Sequence, residues 1–345
     1  MAAIDIFNNN AFGMTSITAA LNNVPFQPTR LGELNIFTPK PVRTTSVSVE
    51  EKNGALSLIS TTPRGAPLDE KAREKRKIRD FRTVRIAKHD RLTADEIQNI
   101  RAFGSESELM QVVDEVNSRM NGPSGLMRDV EMTWENMRLG AVQGIVVDAD
   151  GTTVINNWFT EFGISQASEI NFDLAAAAPA SGAVRKLCQQ VIRQMMKAAN
   201  GGWIPGRTYV HALCGDAFWD DLTAHAEVRQ TYLNTQQAAE LRGGSAYQSF
   251  QYGGITFENY RGTDDGSTVA INTDKAKFFP VNSNAFEVAW SPAETFDYVN
   301  TPGQPVYGMV LPDDKRNSFV DLEVYSYPLF MCTRPAMLQR AKRTA

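Results

Sequence analysis

The sequence predicts a mixed α+β fold with extended appendages, and three observations carry that reading. Amphipathic helical stretches opened by capping boxes are interspersed with short strand-like runs of period two, with no internal repeat. The first 40 residues hold apolar anchors at no consistent period, with prolines among them. Between two strand-like runs lies a charged excursion with too few apolar side chains to bury a core of its own.

With 345 residues, 42% hydrophobic and 21% charged, the chain is long enough for two domains or one with large insertions. Its longest apolar runs are about five residues, as at Leu174 to Ala178, far short of the ~20 that cross a bilayer, so no membrane span is expected. The N-terminus lacks the basic start and apolar stretch of a signal peptide. Cys188, Cys214 and Cys332 are widely spaced, without C-x-x-C. Together these predict folding in a reducing cytoplasm, with neither a disulfide framework nor a zinc site.

Residues 1–40 read as an extended arm anchored by Phe7, Phe12 and Phe26, with Leu21, Leu31, Ile36 and Phe37 as further apolar contacts. Pro25, Pro28 and Pro39 argue against a long helix there. A hairpin follows: Val47 and Val49 alternate in Thr44 to Glu51, Asn53-Gly54 supplies the turn, and Leu56, Leu58 and Ile59 lie on the return. Thr61 to Asp80 is the charged excursion, read as a protruding loop, and Phe81 to Lys88 returns to a strand pattern.

Thr93-x-x-Glu96 and Ser105-x-x-Glu108 are capping boxes that open the next helices. Leu109, Val112, Val113, Val116 and Met120 follow helical spacing, and the pattern resumes at Leu126, Met127, Val130, Trp134 and Met137. Asn121-Gly-Pro-Ser-Gly125 between them must kink or interrupt the helix. Ile145 to Ile155 reads as a second hairpin, and Ala175 to Gly182 as a small-residue linker. Val184, Leu187, Cys188, Val191, Ile192 and Met195 make an amphipathic helix stopped by Asn200-Gly-Gly202. A strand at Thr208 to Leu213, a helix from Asp216 to Leu233 capped by Asp216, and strands at Ile255 to Tyr260 and Val320 to Tyr325 complete the reading.

Chemistry is sparse. Asp148-Ala-Asp150-Gly151-Thr152 resembles the first motif of haloacid dehalogenase-type magnesium phosphatases, in which one Asp attacks phosphorus and the other acts as acid/base. The competing reading is a hairpin turn, because Thr152 to Ile155 follows as a return strand and leaves no room for the helix of a βα unit. His89, His211 and His225 lack further ligands at metal spacing, and structural roles are expected for His211 and Cys214. No catalytic, cofactor or metal site is expected.

Charge is unevenly placed. Eleven basic and five acidic residues between Arg64 and Arg91 give that segment a surplus of six, so the rest of a chain of net charge −4 carries a deficit of ten. Acidic residues are interspersed with the basic ones, and no aromatic lies between Thr61 and Asp80 to stack on a base. The pattern fits a loop laid over an acidic partner better than a nucleic-acid site, and another copy of this chain supplies such a surface.

Several runs are familiar in their order: Arg30-Leu-Gly-Glu-Leu34, Val47-Ser-Val-Glu-Glu-Lys-Asn-Gly54, Ser60-Thr-Thr-Pro-Arg-Gly-Ala-Pro67, Arg73-Glu-Lys-Arg-Lys77, Arg101-Ala-Phe-Gly-Ser105, Arg138-Leu-Gly140 and Val147-Asp-Ala-Asp-Gly151. Phe159-Thr-Glu-Phe-Gly163, Cys214-Gly-Asp-Ala-Phe218, Tyr252-Gly-Gly-Ile-Thr-Phe257, Phe278-Phe-Pro280, Thr301-Pro-Gly-Gln-Pro305 and Cys332-Thr-Arg-Pro335 continue them. Across nearly the whole chain this order resembles the lambda-type major head proteins of tailed phages, the phage major capsid protein E family.

That resemblance implies the Hong Kong 97-like capsid fold: an N-terminal arm at 1–40, an extended loop at 41–91, a peripheral domain with a spine helix at 92–169, an axial domain at 170–310 and a return to the peripheral domain at 311–345. It implies self-assembly into hexamers and pentamers of an icosahedral shell around double-stranded DNA, within a virion assembled in the host cytoplasm. A separate scaffolding protein, a portal, a decoration protein and weak non-specific contact with packaged DNA are the further partners it suggests. Arg64, Arg73, Lys75, Arg76, Lys77 and Arg79 of the loop are expected to contact a neighbouring subunit. Leu109, Val112, Val116 and Trp134 would form the face of the spine helix.

Overall fold

The computed structural model describes residues 14–23, 29–51, 77–99, 108–176, 180–233, 249–263, 269–313, 315–316 and 318–344. The chain begins with α1 (Met14–Asn23), α2 (Arg30–Glu33), β1 (Thr38–Pro41), β2 (Ser46–Glu51), β3 (Lys77–Arg82) and β4 (Ile86–Thr93). Next come α3 (Ala94–Asn99), α4 (Glu108–Asn121), α5 (Leu126–Gln143), β5 (Ile145–Val147), β6 (Val154–Asn157), α6 (Trp158–Phe162) and β7 (Ile170–Asn171). A further set is α7 (Ala183–Ala198), β8 (Tyr209–Cys214), α8 (Asp216–Ala224), α9 (Ala226–Leu233), β9 (Ser249–Tyr252) and β10 (Ile255–Asn259). The chain closes with β11 (Lys275–Val281), β12 (Phe286–Trp290), β13 (Tyr307–Pro312), β14 (Phe319–Ser326), β15 (Pro328–Cys332) and β16 (Gln339–Lys342).

Two hydrophobic cores share one sheet. The six-stranded sheet runs β7-β16-β11-β8-β10-β9. On one face Ala212, Phe257 and Phe278 pack against Val184, Cys188, Val191 and Met195 of α7 and Phe218 and Leu222 of α8. On the other face Leu213 and Phe279 join a larger core around α5, with Val130, Trp134 and Met137 at its centre. Alternation along β8 is the reason: Ala212 and Cys214 face one core and Leu213 the other, as the period of two requires. The larger core is closed by the sheets β1-β12-β15 and β13-β14-β4.

β12 packs in the larger core, and β16 pairs with β11 and β7 in the six-stranded sheet. The arm differs from its reading. Met14–Asn23 is a helix, because Met14, Ile17 and Leu21 fall at i, i+3 and i+7, and all three prolines expected to forbid it lie beyond its end. Residues 29–41 are not an appendage: Leu31 is fully buried, and β1 pairs in parallel with β12.

Other expectations meet direct tests. Thr93 and Glu96 form the predicted capping box, the Thr93 amide donating to Glu96 Oε2 at 2.8 Å and the Glu96 amide to Thr93 Oγ1 at 3.4 Å. Ser105 lies outside the described residues. The helix expected over 216–233 is two, broken at His225, whose extended ψ ends α8. Asp216 does not cap it: Gly215 holds that position, and the Asp216 carboxylate pairs with Arg261 at 2.7 Å and accepts from Asn259 at 3.0 Å.

The interruption at 122–125 is real and tight. α4 and α5 are separate helices, and a Cβ built on Gly125 would stand 2.8 Å from the Met120 carbonyl carbon and oxygen. Gly125→Ala is expected to cost about 1–3 kcal/mol through this clash, seen as a lower urea midpoint with an unchanged slope. A change under about 0.5 kcal/mol would show that the turn relaxes freely.

Candidate assembly surfaces

The turn at Asn53-Gly54 and the return run at 56–59 lie outside the described residues. Ser46–Glu51 pairs with Lys77–Arg82, and the register sets Glu51 opposite Lys77. Residues 52–76 therefore leave and return at one end of a two-stranded stem. Period-two packing fixes the stem: Phe81 is buried with Val47 opposite it, its ring edge-on to Trp158 at 5.2 Å and 5.8 Å from Phe162.

Of the loop residues expected to reach a neighbour, Arg64, Arg73, Lys75 and Arg76 lie outside the described residues. Lys77 is exposed at the stem's end. Arg79 is half-buried beside α6. It donates to the carbonyl oxygens of Glu161 and Phe162 and sits over the Phe162 ring at 5.5 Å. A cation is favoured there because those carbonyls end α6, where the helix dipole is negative.

Phe7, Phe12 and Phe26 also lie outside the described residues. What holds the arm's helix is β13: Ile17 and Leu21 are buried, and the Gly308 amide donates to Thr18 Oγ1 at 3.1 Å. Glycine is needed at 308, because a Cβ there would meet Leu21 Cδ1 at 2.4 Å and Ile17 Cγ2 at 2.6 Å. Asn22 Nδ2 donates to the Val306 carbonyl at 2.9 Å. Val112, Val116 and Trp134 form the inner face of α4 and α5, buried in the subunit's own core, with Trp134 Nε1 donating to Ser326 Oγ at 3.2 Å. The side chain of Leu109 is not among those described.

A buried polar junction went unread in the sequence. Glu135 of α5, fully buried, accepts from the Leu31 amide at 2.8 Å, Tyr260 Oη at 2.9 Å and Thr29 Oγ1 at 2.5 Å. Glu258 of β10 accepts from Arg30 and lies 2.9 Å from His211 Nε2. Residues 29–31 are thereby bonded to α5 and to the six-stranded sheet. The available signal was Glu131 and Glu135 at i, i+4, each next to a core position of the helix (Val130, Trp134), since carboxylates buried there need partners. His211 thus has the expected structural role, with Glu258 rather than Cys214 as its partner.

The phosphatase reading fails on geometry. β5 and β6 form an antiparallel hairpin, with Asp148 and Asp150 exposed in its turn. Asp150 accepts from the Thr153 hydroxyl and the amides of Thr153 and Thr152, which hold its carboxyl well below the usual range. Its oxygens serve the turn's own backbone, and no parallel βα unit carries it. Among the described residues no group of three or more His, Cys, Asp or Glu is placed to hold a metal. The three cysteines are buried thiols, and burial pushes Cys188 and Cys332 up to about 12.

The family model of phage major capsid protein E matches residues 13–343. The chain belongs to the phage major capsid protein E family. It is 25% identical to the major capsid protein of Salmonella phage Felix O1, over 95% of each chain. It is 26% identical to the major capsid protein of Pseudomonas phage KPP10, over 91% of this chain and 92% of that one. A solved structure described as a capsid protein of an E. coli CFT073 prophage matches 96% of this chain and 99% of its own, with TM-score 0.57 and 13% identity, which shows the shared fold. This is accordingly a phage major capsid protein with the Hong Kong 97-like fold, a structural component of the virion and not an enzyme.

Proposed function

We propose that this capsid protein assembles with copies of itself into hexamers and pentamers of an icosahedral shell around double-stranded DNA, and that the β2–β3 stem carries residues 52–76 onto a neighbouring subunit. The observation that carries this is the register of β2 on β3, which sets Glu51 opposite Lys77, so that the 25 residues between them, with a basic surplus, start and finish side by side at one end of the stem. Many modest contacts of this kind become strong together, because each one made raises the effective concentration of the next.

In this reading the larger core is the peripheral domain, with α4 and α5 as a spine broken at 122–125, and the α7 and α8 core is the axial domain. A scaffolding protein, a portal and a decoration protein are further partners, and contact with the genome is weak and non-specific. The test is charge reversal of Arg64, Arg73, Lys75 and Arg76 to Glu, with the chain co-expressed with the other head proteins of its phage. Folded subunits with at least a roughly tenfold loss of closed shells by electron microscopy are expected, from loss of about 1.4 kcal/mol or more of contact per interface. Normal shell yield would remove the loop from assembly.

A further inference from the structure

Between Asp173 and Asp216 the chain runs for 42 residues with five cations, Arg185, Lys186, Arg193, Lys197 and Arg207, and no acidic side chain. Four of the five lie on α7, and all four are exposed. Val184, Cys188, Val191 and Met195 turn the other side of the helix into the core. Lys186, Arg193 and Lys197 fall at i, i+7 and i+11, so at 3.6 residues per turn they lie within about 40° of one another and form a row about 16 Å long. None of the four cations on α7 is paired with a described carboxylate.

The elements around this face leave its charge uncancelled. At the N-terminal end Glu227 Oε2 accepts from the Val184 amide at 3.1 Å, and Oε1 from the Arg185 amide at 3.2 Å and Tyr252 Oη at 2.6 Å. Both oxygens are thus turned into the helix end, and Arg229 of α9 is exposed nearby in sequence. On one flank Gln189 donates to the Gly253 carbonyl at 2.8 Å. On the other, Gln190 and Gln194 line a cleft with Asn171 and Gln339, and its one carboxylate, Glu169, is paired with Lys275 at 2.7 Å. Met196, 46% exposed, is the one large apolar side chain that α7 exposes. Protein interfaces centre on apolar and aromatic side chains and are poor in lysine, whereas phosphate backbones are held by Arg, Lys and Gln. A cationic, acid-free face flanked by amides therefore complements a polyanion better than a folded neighbour. Residues 64–91 differ, because acids are interspersed with their cations.

We propose that the exposed face of α7 is the surface this subunit turns to double-stranded DNA, with Lys186, Arg193 and Lys197 on backbone phosphates. This deepens the assembly reading above, in which genome contact is weak and non-specific, and rests on it for the presence of DNA within the shell. Three or four phosphate contacts, with no aromatic on the face to stack on a base, give a modest affinity that depends on salt and not on sequence.

The experiment titrates a fluorescent duplex of about 30 base pairs with the full-length, unassembled chain, reading anisotropy from about 50 to 200 mM salt. Replacing Lys186, Arg193 and Lys197 together by Gln should make log affinity fall less steeply with log salt, the slope shallower by about three, and equally so on duplexes of unrelated sequence. Residues 64–91 are the same in both chains, so the difference in slope reports α7 alone. The control replaces Arg43, Lys315 and Arg316, exposed cations elsewhere, by Gln and should leave the slope within about one of the native value. A change of less than about two in the α7 variant, or an equal change in the control, would overturn the proposal. So would unchanged DNA binding with loss of closed shells, which gives the face to another copy. Glutamine keeps the helix propensity of these exposed positions; if the triple variant is nonetheless unfolded, Arg193→Gln alone decides, with a change of about one expected and no change overturning the contact. Absence of particles from the unsubstituted chain with its full set of head proteins would instead overturn the assembly reading, since the slopes are measured on unassembled chains.

Discussion

Substituting Glu258 with alanine is expected to cost the folded subunit about 3–5 kcal/mol, because it strips a buried cluster of its anion and leaves Arg30 and His211 facing a hole. Burial alone would push the Glu258 carboxyl up; hydrogen bonds from His211 and Arg30, with their charges, more than offset this and hold it below the ordinary glutamate range. A carboxylate lowered in this way contributes stability that is present above its unfolded pKa, about 4.3, and is lost as pH falls through the lower folded value. Urea midpoints measured from pH 7 down to pH 3 should therefore fall for the native chain. Glu258→Gln, already destabilised, should show a shallower fall over the same window.

An Arg30→Ala and Glu258→Ala double-mutant cycle should give a coupling of about 0.5–3 kcal/mol, since the two groups share one network. Coupling near zero, with Glu258→Ala costing under about 1 kcal/mol, would mean that the junction does not hold residues 29–31 in place.

How much of this was legible depends on the range of the interaction. The break between α4 and α5 followed from Gly122, Pro123 and Gly125, whose backbone preferences act locally, and α7 followed from the spacing of Val184, Cys188, Val191 and Met195. The turn at Asp148–Gly151 was likewise local. Pairing of Ser46–Glu51 with Lys77–Arg82 was not, because Asn53-Gly54 offers a nearer hairpin and nothing within a few residues of Val47 reports Phe81. Arg79 looked like one more cation in a basic run; only tertiary folding places it at the carbonyl end of α6. The junction was hidden for the same reason, since its donors at Thr29 and Leu31 lie more than a hundred residues from Glu135. The arm's helix was the one local signal passed over, masked by prolines that follow it rather than interrupt it.

Phe81→Ala is expected to be the most damaging single change to assembly relative to its cost in stability. Removing a buried phenyl costs about 3–5 kcal/mol. Phe81 packs on Trp158 and Phe162 and fixes the direction of the stem, yet among the described residues β2 and β3 pair only with each other. The two main cores should therefore stay folded while the stem loses its seat. The control is Phe330→Ala, which removes an equally buried ring packed on Phe37 and Trp290, away from the stem. Assayed below both melting temperatures, Phe330→Ala should still close shells and Phe81→Ala should not, and Phe81→Leu, which keeps most of the apolar volume, should recover part of the yield. If the two alanine variants lose shells only in proportion to their lost stability, the direction of the stem has no special part in assembly. A loss confined to Phe81→Ala ties the aim of residues 52–76 to a single aromatic contact at the base of the hairpin.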